Sequence, residues 1–118
     1  MATMAHVGIY VGDLARSVVF YGETLGFQVS RTMETSTSKI AFLDAGGGTL
    51  ELIQRPGAPG KVLDGPWSHV AFAVDDYDAT ESRLEGLGLV LRKVTLGDGS
   101  RIAFFKDPDG HDVEIMEK

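Results

Sequence analysis

The stretch Ala5-His6-Val7-Gly8-Ile9-Tyr10-Val11-Gly12-Asp13-Leu14 returns 63 residues later as Ser68-His69-Val70-Ala71-Phe72-Ala73-Val74-Asp75-Asp76-Tyr77. In each, every second residue is apolar (Val7, Ile9, Val11; Val70, Phe72, Val74), which is the period of a half-buried strand. An aspartate then stands where a helix N-cap belongs, Asp13 in one copy and Asp76 in the other. The echo continues through Leu25-Gly26-Phe27 and Leu87-Gly88-Leu89, Ile40-Ala41-Phe42 and Ile102-Ala103-Phe104, Leu50-Glu51-Leu52 and Val113-Glu114-Ile115. Two copies are too few for a solenoid, so they are expected to pair within a single domain over 1–118.

Working outward, each copy predicts one helix. Leu14, Val18, Tyr21 and Leu25 form the apolar stripe of the first, and Tyr77, Leu84 and Leu87 that of the second, with Gly26 and Gly88 as left-handed stops. Three further strands follow in each copy, near 28–34, 38–44 and 49–54, then near 89–95, 101–106 and 111–117. Turns at Gly46-Gly47-Gly48 and Asp107-Pro108-Asp109-Gly110 separate the last two of each set. The expected class is therefore α+β: two tandem βαβββ modules, 4–55 and 67–118, joined by a Gly- and Pro-rich linker over 56–66, with a cupped mixed sheet.

Bulk properties exclude several roles. The net charge is −6, from 11 basic and 17 acidic residues, and no basic cluster exists to follow a phosphate backbone, so nucleic acid is not an expected partner. No apolar run approaches the roughly 20 residues of a membrane span, and the N-terminus leads directly into a strand pattern, so a cytoplasmic protein is expected. Without cysteine, any metal must be held by nitrogen and oxygen donors.

Such donors exist in one arrangement. If Val7, Ile9 and Val11 face the helix, then His6, Gly8 and Tyr10 face away from it. The same alternation places His69 opposite Val70, Glu51 opposite Leu50 and Leu52, and Glu114 opposite Val113 and Ile115. In both copies the His precedes the Glu by 45 residues. Singly, a His or Glu on a strand face is most often merely solvated. Two carboxylates gathered in a cup, however, repel unless a cation neutralises them. Gly8, Ala71, Ala73, Ala41 and Ala103 are expected on this same face, leaving room for a small-molecule ligand. Trp67 and Arg101 are candidates for its rim, whereas His111, without a counterpart in the first copy, is expected at the surface.

These residues, with Phe20-Tyr21-Gly22-Glu23-Thr24-Leu25-Gly26-Phe27 and Ala103-Phe104-Phe105-Lys106-Asp107-Pro108-Asp109-Gly110-His111, resemble the glyoxalase/bleomycin-resistance/dioxygenase superfamily, glyoxalase I above all, across nearly the whole chain. The resemblance implies a metal set of His6, Glu51, His69 and Glu114, with nickel or cobalt favoured and zinc as an alternative. It implies a homodimer in which His6 and Glu51 of one chain meet His69 and Glu114 of the other, with pairing inside one chain as the alternative. It implies isomerisation of a thiol hemithioacetal of methylglyoxal to an S-lactoyl thioester through a metal-stabilised enediolate, with Glu114 as base and Glu51 as the second carboxylate. Tyr10 and Arg55 stand where related bacterial enzymes carry an Arg and an Asn that contact glutathione, so the resemblance leaves the thiol open between glutathione, bacillithiol and another small thiol. The alternatives within the superfamily are acyl-CoA epimerase, ring-cleaving dioxygenase and thiol transferase chemistry, or a metal-free drug-binding role.

Overall fold

The structure, a computed structural model, describes residues 1, 4–57 and 69–118, so Trp67 and most of the expected linker lie outside the described residues. The chain divides into two compact units, Met1–Val62 and Leu63–Lys118.

The first unit runs β1 (Val7–Tyr10), α1 (Leu14–Leu25), β2 (Gln28–Glu34), β3 (Lys39–Asp44) and β4 (Thr49–Gln54). Its sheet has the order β1-β4-β3-β2, with β1 parallel to β4 and the other pairs antiparallel. The second unit repeats this with β5 (Val70–Val74), α2 (Tyr77–Gly86), β6 (Arg92–Thr95), β7 (Arg101–Lys106) and β8 (Asp112–Glu117), in the order β5-β8-β7-β6. Each unit is thus the expected βαβββ module with a mixed sheet. In each module the helix carries the chain across one sheet face to the far edge, and the antiparallel meander of the last three strands returns to set the last strand parallel to the first, the crossover that a parallel pair requires.

Local chemistry sets the helix ends. Asp13 accepts a hydrogen bond from the Arg16 amide and Asp76 one from the Ala79 amide, satisfying N-terminal donors that have no helical partner. Gly26 ends α1 at φ 75°, a conformation that opposes a Cβ. In the second module Leu87 caps α2 and Gly88 takes the left-handed turn at φ 87°. The Leu89 amide still donates to Leu84 O, which ties 89 to the helix exit. Strand β6 consequently begins at Arg92, later than the expected 89.

Each helix covers one face of its own sheet. Tyr21, Leu43, Leu50 and Leu52 are buried in the first module, and Tyr77, Leu84, Val113 and Ile115 in the second. Burial of a side chain such as Leu52 or Ile115 contributes about 1.5–3 kcal/mol each. The stripe of α1 differs from expectation, since Ser17 and Thr24 are buried with Tyr21 while Leu14, Val18 and Leu25 are half-buried. Thr24 is accommodated because its hydroxyl donates to Phe20 O at 2.7 Å.

Strand pairing corrects one expectation about the opposite face. Ala41 lies across from Leu52 and Ala103 from Ile115, and both alanines are buried on the helix side. Phe42 and Phe104 lie across from Glu51 and Glu114 instead. Directly paired residues share a face, so phenyl rings rather than alanines flank the carboxylates. Gly8 and Ala71, paired with Glu51 and Glu114, do lie on the carboxylate face.

Candidate metal centre

His6 sits one residue before β1, and Glu51 is the third of six residues in the adjacent strand β4. Although 45 positions separate them in sequence, the parallel pairing brings His6 Nε2 to 3.3 Å from Glu51 Oε2. In the second module His69 Nε2 lies 3.4 Å from Glu114 Oε1. The imidazoles are nearly half exposed, at 45% and 41%, whereas the carboxylates are largely covered, at 13% and 11%.

These separations suit donors to a common ion better than a direct charge-assisted hydrogen bond, which closes to about 2.7–2.9 Å. Two donors each about 2.1 Å from one ion lie about 3.0–3.4 Å apart at angles of about 90–110°. Imidazole nitrogen with carboxylate oxygen is also a donor mixture suited to zinc, nickel, cobalt or manganese. Each module therefore carries two donors that fit a divalent ion. A Cβ added at Gly8 would meet Glu51 Oε1 at 3.5 Å. That is ordinary contact, consistent with Ala71 at the matching position of the second module.

A row across each sheet accompanies the donors. Gly8, Glu51, Phe42 and Arg31 lie side by side on β1, β4, β3 and β2, and Ala71, Glu114, Phe104 and Arg92 on β5, β8, β7 and β6. The guanidinium carbon of each arginine stands 4.3 Å from the centroid of its phenyl ring. Neither the phenylalanines nor the arginines were singled out from sequence. The recurrence of Phe42 and Phe104 at matching places in the repeat was the signal available.

The other sequence candidates are placed as follows. Tyr10 is exposed at the end of β1, and Arg55 is exposed just past β4. The Arg101 guanidinium is engaged inside its own module. It donates to Glu117 through Nε and Nη2 at 3.1 Å each and to Asp78 through Nη1 at 2.7 Å, and it stacks 4.5 Å from the Tyr77 ring centroid.

His111 departs from the surface position expected of it. Its side chain is only 18% exposed, and its Nδ1 lies 2.8 Å from Oδ2 of the fully covered Asp107 side chain. Asp107 Oδ1 accepts from the amides of Asp109 and His111, so the carboxylate organises the whole Asp107–His111 turn. Donor atoms of Asp107, Asp109 and His111 come within 4.8 Å of one another. Both Asp107 oxygens are already taken up by that turn, which accounts for the cluster without an ion. The Asp107 carboxylate raises the imidazole pKa above its ordinary value despite its burial.

The chain is similar to known proteins over nearly its whole length. Residues 3–115 match the family model of the glyoxalase/bleomycin resistance protein/dioxygenase superfamily. The chain belongs to that superfamily. It is 35% identical to a probable lactoylglutathione lyase of Vibrio parahaemolyticus over 95% of this chain and 88% of that one. It is 36% identical to the lactoylglutathione lyase of Haemophilus influenzae over 95% and 90%. Among solved structures, the trypanothione-dependent glyoxalase I of Leishmania major superposes with a TM-score of 0.83 at 29% identity, over 99% of this chain and 87% of that one. Glyoxalase I of Zea mays gives 0.84 at 27% identity over 98% of this chain and 44% of that one. The expected fold and kinship with glyoxalase I are both met, and the chain is a lactoylglutathione lyase-like enzyme. Among the described residues no helix is long and apolar enough to cross a membrane.

Proposed function

We propose that this superfamily member isomerises the hemithioacetal of methylglyoxal and a small thiol to an S-lactoyl thioester, at a divalent-metal centre held by His6, Glu51, His69 and Glu114. The observation that carries the reading is the duplicated donor pair, His Nε2 and Glu oxygen at 3.3 and 3.4 Å, at matching positions of the two modules. Its curated relatives named lactoylglutathione lyase support the reaction class. One module supplies only two donors, so a complete set needs one module of each kind, and a homodimer supplies two such sets.

His6, Glu51, His69 and Glu114 would hold a divalent ion, nickel or cobalt favoured over zinc, which would supply Lewis-acid stabilisation of negative charge on substrate oxygen. The chain then has to move one proton between neighbouring carbons. Glu114 approaches His69 through Oε1, and its Oε2 is the proposed base for the carbon-bound proton. Glu51 approaches His6 through Oε2, and its Oε1 is the proposed counterpart on the other side of the substrate. Partial cover of both carboxylates keeps competing water away from the transferred proton. Tyr10, Arg55 and Trp67 are proposed to meet the thiol part at the rim; Arg101, also expected there from sequence, shares the helix side of β7 with Ala103 and is held on α2 by Tyr77 and Asp78, so it is not one of these contacts.

The test is direct. Protein loaded with nickel or cobalt should convert methylglyoxal plus glutathione or bacillithiol to thioester, followed by ultraviolet absorbance. Absence of turnover with either thiol and either metal, in protein that retains the metal, refutes the proposal.

A further inference from the structure

The two histidines are held in an unusual way. His6 precedes β1 and His69 precedes β5, so each projects from just outside the start of a strand rather than from its hydrogen-bonded middle. A metal-ligating imidazole is ordinarily fixed by a hydrogen bond from its second ring nitrogen. Among the described residues, the polar and ring contacts of each imidazole are instead its carboxylate and a phenyl ring. His6 meets Phe42 nearly at right angles, 76° with centroids 6.0 Å apart. His69 meets Phe104 at 81° and 5.5 Å.

The phenyl rings are themselves held. Arg31 and Arg92 cover them at 4.3 Å, an attraction of the cation for the ring face. In the first module this takes a deliberate backbone feature. The pairing of β2 with β3 shifts between Val29 and Arg31, and Ser30 Oγ donates to Phe42 O at 3.1 Å. Such a bulge re-aims the following side chain, here bringing Arg31 opposite Phe42. The second module reaches the same pairing at the first residue of β6, Arg92 opposite Phe104. Elsewhere the copies have diverged: Gln54 accepts from the Leu14 amide, while Glu117 at the matching position binds Arg101. Two different backbone routes thus lead to one His–Phe–Arg stack.

We propose that Phe42 and Phe104 are positioning residues for the ligand imidazoles, with Arg31 and Arg92 clamping the phenyl rings, so that Nε2 is aimed beside the carboxylate before any ion arrives. The inference rests on the metal centre proposed above. Its consequence is tighter metal binding and a defined coordination geometry.

The experiment is titration of apo protein with Co2+, following both the dissociation constant and the visible d–d bands, which report ligand geometry. Phe104→Leu should weaken binding about tenfold or more, in the range seen when groups supporting a ligand are lost, and should shift the bands. Phe104→Tyr, which keeps the ring, should restore both. Arg92→Gln, at an exposed position on the edge strand β6, should move both readouts in the same direction by less. A purely packing role would lower the melting temperature of the apo protein and leave affinity and bands alone. Wild-type protein that takes up Co2+, with folded Phe104→Leu matching it in affinity and bands, overturns this inference and leaves the centre standing. Should Phe104→Leu not fold, Arg92→Gln decides by the same criterion. Wild-type protein that takes up no Co2+ overturns the centre itself, and the inference with it.

Discussion

Replacing Glu114 by Gln separates chemistry from folding. Glu114 is buried, stands between Ala71 and Phe104 in its row, and approaches His69 through one oxygen. Gln has almost the same shape and still offers a carbonyl oxygen toward His69, so the packing of β8 should survive. What disappears is the second basic oxygen. General-base catalysis contributes about a hundredfold to ten-thousandfold, so kcat should fall about a thousandfold, about 4 kcal/mol in the barrier. The melting temperature of the apo form should stay close to that of wild type. The assay is steady-state thioester formation with metal content measured on the same sample, so that loss of metal is not mistaken for loss of the base. Glu114→Gln that retains its metal and keeps kcat within about tenfold of wild type would refute the assignment of Glu114 as base.

Other consequences concern the frame around the centre. Because Asp107 raises the pKa of His111, the protonated pair stabilises the fold fully below the unfolded-state value of about 6.5 and its contribution is lost as pH rises through the higher folded value. His111→Ala should therefore cost about 1.5 kcal/mol near pH 5.5 and less near pH 8, measured by urea unfolding at both; an equal loss at both pH values would contradict the ion pair. Arg101→Met should lower the melting temperature at low salt, with the difference shrinking at high salt, because Glu117 and Asp78 lose their shared cation. A KM increase without loss of stability would instead mark Arg101 as a substrate contact. Gly26→Ala should cost about 1 kcal/mol through backbone strain alone, since φ is 75° and no atom lies within 4 Å of the added Cβ; unchanged stability would show that α1 ends differently.

Much of this architecture is legible in sequence because each module announces its ends chemically. Asp13, Asp76 and Gly26 act at the helix termini where their side chains, or the lack of one, suggest. Alternation in β4 and β8 also separates Glu51 and Glu114 from the core residues beside them. Strands β3 and β7 resist the same treatment, since Ile40-Ala41-Phe42-Leu43 and Ile102-Ala103-Phe104-Phe105 are apolar throughout and carry no period. Only pairing with the neighbouring strand shows that Phe42 and Phe104, not Ala41 and Ala103, share the carboxylate face. The position of His111 was equally hidden, because it depends on which backbone amides of the turn Asp107 must satisfy. The arginine clamp of the first module hinges on a bulge that no local composition marks.

The central claim is that the two His–Glu pairs act on a single ion. Metal content of nickel- or cobalt-loaded protein, measured for wild type, His6→Ala and His69→Ala, tests it most directly. One ion per chain in wild type, lost almost completely in either variant, is the predicted result. Two ions per chain, falling to one in each variant, would mean that each module binds metal by itself and would contradict the account.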